Sequence, residues 1–222
     1  MLLMSGVCVK INGADILADV DLGVAPHTLC GLLGRNGAGK TTLMRAVMGA
    51  LPIAGGGLTF DGRPIAPLPA YERARLGIGY MPEDRRLIPD LNVEENILLP
   101  FDAIGSLSRA VTLDRVFAAI PELVPLRKRP AVSLSGGQQK LVALGRAMAI
   151  GTNLLLLDEP TEGVAPSLAK RLIGILRDIR AQGPAILISD SNERHLDGLV
   201  DRLYLIDRGR VMLQPEGAAV LS

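Results

Sequence analysis

Gly34-Arg35-Asn36-Gly37-Ala38-Gly39-Lys40-Thr41-Thr42 stands between an apolar run, Thr28-Leu29-Cys30-Gly31-Leu32-Leu33, and a stretch in which Leu43, Met44, Val47 and Met48 recur at helical spacing. Buried strand, glycine-rich loop and amphipathic helix, in that order, make a phosphate-binding loop. The glycines let successive backbone N–H groups turn onto phosphate oxygens, and the helix N-terminus adds its partial positive charge. Lys40 then reaches the β and γ phosphates as a point charge, and the Thr41 hydroxyl is set to ligate Mg²⁺. A glycine-rich turn that merely carried a lysine would lack the flanking strand and helix, so residues 34–42 predict binding of a nucleoside triphosphate.

Leu154-Leu155-Leu156-Leu157-Asp158-Glu159-Pro160 is a wholly apolar strand ending in two carboxylates, the pattern of a strand buried on both faces. Alone it would read as core followed by a solvated turn. Paired with the upstream loop it predicts a metal and base site, with Asp158 holding Mg²⁺ through water and Glu159 facing the attacking water as general base. Leu134-Ser135-Gly136-Gly137-Gln138-Gln139 precedes a helix whose apolar face is Leu141, Val142, Leu144, Gly145, Met148 and Ala149. Ser135 and Gln138 form a capping box, and a capped N-terminus with two glycines also presents amides and a hydroxyl to a γ-phosphate. The segment stands too far along the chain from Lys40 to close on the same nucleotide without a partner.

That order of segments resembles the nucleotide-binding subunits of ABC transporters, over essentially the whole chain. The resemblance implies a P-loop NTPase cassette of the α/β class: a mainly parallel core sheet with flanking helices, a small antiparallel sheet and an inserted helical subdomain. It implies a dimer of two cassettes packed head to tail, in which the signature residues Leu134, Ser135, Gly136, Gly137 and Gln138 of one subunit cover the ATP held by the Lys40 loop of the other. Leu33 to Gly37, Gly77 to Glu83, Asn92 to Ile97 and Glu159 to Pro166 look like the ATPase subunits of branched-chain amino acid importers.

Against the commonest family pattern there are three departures. The loop after the Gly77–Tyr80 strand usually carries a Gln, whereas this chain has Glu83, which as a subfamily trait would touch Mg²⁺ or the water; the plainer reading is a surface acid. Ser191 stands where many cassettes place a histidine on the γ-phosphate, and a serine cannot carry positive charge. Ile11 replaces the aromatic on which the family often stacks adenine, and no aromatic precedes Phe60. His195, one helical turn after Ser191, reads as a solvated or capping residue.

At 222 residues, with 48% apolar and 3% aromatic residues, the chain suits one substantial α/β core. A formal charge of +1 gives no strong field for nucleic acid, and the Arg127-Lys128-Arg129 triplet reads as a solvated loop. Mean hydropathy is positive, yet no stretch reaches the roughly 18 apolar residues of a membrane span, so another chain would supply the spanning helices. The N-terminus lacks the basic start of an export signal, which points to a cytoplasmic protein, peripheral at the inner face of the cell membrane. Cys8 and Cys30 fall on expected strands and read as buried free thiols.

The expected organisation is a single domain over 1–222, with its core at about 1–82 and 152–222 and the helical subdomain at about 83–151. Its opening is a hairpin, Val7 to Ile11 and Ile16 to Val24, turning at Asn12-Gly13. Gly55-Gly56-Gly57 reads as a flexible link into a strand at Leu58 to Phe60. Helices are expected at Tyr71 to Leu76, after an Asn92/Glu95 capping box, at Leu113 to Ile120 and at Ser167 to Ala181, and strands at Ala185 to Ser189 and Leu203 to Ile206.

The leading expectation is an ATP- and Mg²⁺-dependent ATPase that energises a branched-chain amino acid importer, with permease subunits, a second cassette and a solute-binding protein as partners and no nucleic acid. The alternatives are a weakly hydrolytic regulatory half of a heterodimer, favoured by Ser191 and Ile11, and a soluble ABC ATPase acting on DNA or ribosomes. The last would need a coiled-coil insertion or a second cassette, and neither is visible in this sequence.

Overall fold

In the computed structural model, residues 1–104, 109–181 and 183–215 are described. Strand β1 (Leu2–Ile11) turns into β2 (Ala14–Val24) through Asn12 and Gly13, both at positive φ. Such mirror-image turns match the right-handed twist of the strands they join. β3 (Leu29–Leu33) feeds the glycine-rich loop and α1 (Lys40–Met48). There follow β4 (Gly55–Phe60), β5 (Arg63–Pro64), α2 (Ala70–Arg75), β6 (Ile78–Met81), α3 (Val93–Ile104), α4 (Arg109–Ala119) and α5 (Gly136–Ile150). β7 (Leu154–Asp158), α6 (Pro166–Ala181), β8 (Ala185–Asp190), β9 (Arg202–Asp207) and β10 (Arg210–Leu213) complete the described part.

Two sheets result. The antiparallel one runs β2-β1-β4-β5, and the larger one runs β10-β9-β3-β8-β7-β6, parallel from β9 to β6 with β10 antiparallel on its edge. Because side chains alternate across a strand, β7 serves two cores. Leu154 and Leu156 pack with the antiparallel sheet and α1, while Leu155 and Leu157 pack with α3, α5 and α6. The parallel order carries the C-terminal ends of β3, β7 and β8 to one edge, where Gly34, Glu159 and Ser191 follow them.

Gly55-Gly56-Gly57 is not a flexible link: all three residues lie in β4, and Gly57 and Gly55 pair with Ser5 and Cys8 across a register shift. Gly56 sits at φ 83°, and a β-carbon there would overlap the Gly6 carbonyl, so these glycines permit a close backbone approach. β10 was absent from the expected elements; it forms because Arg208 and Gly209, both at positive φ, turn the chain back onto β9. The Arg127-Lys128-Arg129 loop is not merely solvated. Arg127 Nε and Lys128 Nζ each lie 2.7 Å from Glu94 at the start of α3, and the two cations hold that carboxyl down at about 2.

The Asn92/Glu95 box is present in both directions, at 3.0 and 2.8 Å. Arg73 of α2 is buried and donates to the Ala46 and Val47 carbonyls at 2.8 and 2.7 Å, so it caps the C-terminal end of α1. Cys30 on β3 is a buried free thiol, whereas Cys8 on β1 is free but only half-buried. Among the described residues no helix is long and apolar enough to cross a membrane. Positions 216–222 of the expected core lie outside the described residues.

Candidate functional site

Gly34 follows β3 so closely against β9 that a β-carbon on it would lie 2.6 Å from Ile206 Cγ2. The loop then rises through Arg35, Asn36 and Gly37, all exposed, and returns through Gly39 at φ 114°, a conformation that requires glycine. Gly39 is the N-cap of α1 and offers no side-chain cap, so the first amides of the helix face the cleft unshared. Lys40 is only 4% exposed. Its ammonium donates to the carbonyls of Gly34 (2.6 Å) and Arg35 (3.0 Å) and pairs with Glu159 Oε1 at 3.0 Å. Gly37, Gly39, Lys40, Thr41 and Thr42 line a cleft of about 250 Å3 with Glu83 and Glu159. A larger cleft of about 540 Å3 lies between Glu193 and β10, but Glu193, Asp197 and Asp201 dominate its charge and none of the loop lines it.

Asp158 ends β7 with no exposure at all. Ser189 Oγ donates to its Oδ1 at 2.7 Å, Tyr80 Oη lies 3.4 Å from Oδ2, and the Thr41 hydroxyl also bonds to it. Burial pushes the Asp158 carboxyl above its usual range, and burial together with Asp158 pushes the Tyr80 phenol up. Thr41 and Asp158 are thus adjacent hard oxygen donors on two facing elements, a donor set that fits Mg²⁺. Buried carboxylate charge of this kind is what a divalent cation would neutralise.

Glu159 turns away from the strand at φ 47°. Its N–H donates to Ser189, its carboxylate meets Lys40 on one side, and Ser191 Oγ donates to Oε2 at 3.3 Å on the other. The structure therefore gathers these residues at one edge of the sheet: Lys40, Thr41 and Glu159 line the cleft with Glu83 exposed on its rim, Asp158 lines a small neighbouring cleft with Thr41 and Glu83, and Ser191 reaches Glu159 from outside the lining. Ile11, half-buried at the end of β1, does not line that cleft, and Ile16 of β2 does. Ile16 was not singled out from the sequence; it lies one strand further along the same hairpin, a place that only the pairing of β1 with β2 reveals.

His195 is half-buried rather than fully solvated, and its ring is tied to neighbouring side chains. It bonds to Asp190 Oδ2 at 3.0 Å and to Thr161 Oγ1 at 2.9 Å, in a cluster behind the cleft. Ser135 caps α5, accepting from the Gln138 N–H at 3.3 Å while Gln138 Oε1 accepts from the Ser135 N–H at 3.0 Å. None of residues 134–138 lines the cleft of this chain. Leu134 is buried, and the exposed Ser135 and Gly136 face outward from the helix start. Arg85, two residues past Glu83, donates to the Gly136 carbonyl at 3.3 Å and to Gln139 at 3.0 Å, and Arg146 of α5 donates to the Arg85 and Arg86 carbonyls.

Lys140 of α5 was likewise missed. It is as buried as Lys40, and burial holds its pKa below the usual lysine value. In a heptad-like reading it passes for one more polar residue between apolar ones.

A family profile described as ABC transporter matches residues 17–162. BraG of Pseudomonas aeruginosa, the ATP-binding protein of high-affinity branched-chain amino acid transport, is 32% identical over 222 residues, covering 100% of this chain and 95% of that one. LptB of Escherichia coli strain K12, the ATP-binding protein of a lipopolysaccharide export system, is 35% identical over 213 residues, covering 95% of this chain and 88% of that one. A solved dimeric cassette in a post-hydrolysis state, bound to ADP and phosphate, superposes with a TM-score of 0.86 at 21% identity over 99% of this chain and 100% of that one. This last likeness is one of fold.

Proposed function

Since this chain belongs to the ABC transporter ATP-binding family and is thereby an ATP-hydrolysing subunit of a transporter, we propose that its transporter is an importer of branched-chain or related amino acids. The observation that carries the solute class is the end-to-end match with BraG, joined by Glu83 and the Glu159 to Pro166 segment. The comparable match with LptB supports a second reading, an export ATPase.

In this proposal the amides of 37–42 and Lys40 bind the ATP phosphates, Thr41 and Asp158 hold Mg²⁺ with Glu83 at its margin, and Glu159 accepts the proton of the attacking water. The metal, when bound, draws charge from the phosphate oxygens. Ser191 orients Glu159 by its hydrogen bond and adds no positive charge, so electrostatic stabilisation rests more heavily on Lys40. Ile16, in the lining of the cleft, gives the base an apolar face without stacking, in place of Ile11. Leu134 to Gln138 cover the ATP of a second cassette, as head-to-tail pairing requires. Permease subunits supply the membrane spans, a solute-binding protein delivers cargo, and the chain works at the cytoplasmic face, with core and helical parts divided near 83 and 151.

The test is ATP hydrolysis by the purified chain against its own concentration, with Glu159→Gln beside it, joined to uptake of labelled leucine in cells expressing either form. The expected rate rises as the square of concentration at low protein, vanishes in Glu159→Gln, and uptake vanishes with it. Uptake unchanged while hydrolysis is lost would overturn the solute class alone. Undiminished turnover by Glu159→Gln would overturn the base.

A further inference from the structure

Lys140 projects from α5 about one and a half turns beyond Ser135. A lysine buried to 4% exposure needs a partner, and its Nζ donates to the carbonyl oxygen of Glu159 at 2.8 Å. The acids Glu162, Glu83 and Glu159 lie around it. Glu159 itself occupies the left-handed region at φ 47°, which is strained for a residue with a β-carbon and persists only where neighbours hold it. Its N–H is held by Ser189, through the carbonyl and Oγ both at 3.2 Å, and its carbonyl is held by Lys140. The peptide on one side of the Glu159 side chain is anchored on β8 and the peptide on the other side on α5.

We propose that Lys140 is a positioning residue for ATP hydrolysis: by gripping the Glu159 carbonyl it fixes the left-handed turn from which the carboxylate is aimed, and so couples the base to the helix that starts at Ser135. The inference rests on the reading of Glu159 as base. A shift or tilt of α5 would be transmitted to that carbonyl through a single buried contact, whereas Lys40 and Ser191 act on the carboxylate itself. The coupling runs from one subunit's covering segment to its own base, so contact with the neighbour's nucleotide would bear on hydrolysis at home.

Lys140→Met and Lys140→Gln both lose the contact, the second because its side chain is too short, and Lys140→Arg keeps a charged donor. In the assembly in which the wild-type chain hydrolyses ATP, either loss variant should lower kcat at least about tenfold with the ATP Kd within about twofold, and Lys140→Arg should recover most of the rate. Placed in the Glu159→Gln background, Lys140→Met should change the residual rate by less than about twofold, since a residue acting through the base has nothing left to act through. A kcat near wild type in the loss variants, or kcat and ATP affinity falling together, overturns the proposal; should Lys140→Met not fold, Lys140→Gln decides by the same split. Wild-type turnover by Glu159→Gln alone would overturn the base assignment instead, which keeps the two failures apart.

Discussion

Lys40 has its donors committed before a phosphate arrives: two backbone carbonyls and the Glu159 carboxylate already surround it. Removing one partner of a buried pair leaves an uncompensated charge, whereas removing both can be nearly neutral. Lys40→Ala should therefore destabilise the nucleotide-free chain by about 3 kcal/mol, and Lys40→Ala with Glu159→Gln should recover most of that loss. Urea unfolding without nucleotide measures both; equal stability of the single and double variants would mean that the pair is not what holds Lys40. The glycine loop, the capping box at Ser135 and the Asp158-Glu159 pair were legible in the sequence because each is a local pattern. Lys140, Ile16 and the His195–Asp190–Thr161 cluster were not. Their partners lie on other elements, and no spacing along the chain marks a lysine that reaches a carbonyl on another element.

At the scale of elements, β6 and α5 meet without a side chain between them. A β-carbon on Gly79 would overlap the Ala147 carbonyl and come within 2.9 Å of the Gly151 backbone. Neither partner is a flexible side chain, so Gly79→Ala should cost about 1–3 kcal/mol. It should also weaken hydrolysis, because β6 leads into Glu83 and α5 carries Lys140; unchanged stability in urea unfolding would show that the backbone yields there. The apolar strands β3, β7 and β8 could be read directly, since burial on both faces leaves an unbroken run of aliphatic residues. The Gly55–Gly57 half of β4 and all of β10 could not. Three glycines carry no strand propensity, and Arg210-Val211-Met212-Leu213 is too short and too exposed to announce a strand, although Arg208-Gly209 between it and β9 was the available signal for a turn.

At the scale of the molecule, the covering segment and the cleft of one chain do not meet, so two chains are needed to assemble one complete site in the proposed arrangement. Mixing Lys40→Ala, which lacks a working cleft, with a Ser135→Arg variant, which lacks a working cover, tests this directly. Mixed dimers would contain one composite site built from the intact halves, and roughly a quarter of wild-type activity should return where each variant alone is inactive. No recovery on mixing would argue that cleft and cover act within one chain. Fold class was readable at this scale because the order of strand, loop, helix and carboxylate strand admits few topologies; the solute was not, since nothing in a cleft built for phosphates touches it.

The parallel sheet is also a partition. Leu154 and Leu155 are neighbours in sequence, yet one belongs to the packing around α1 and the other to the packing around α5. Met48 packs against both sides; away from it, the effects of substitutions on opposite sides should add rather than compensate. On the proposed reading, the phosphate-holding side could stay fixed while the helical side changed to suit a membrane partner, so that one ATPase design could be refitted without being rebuilt.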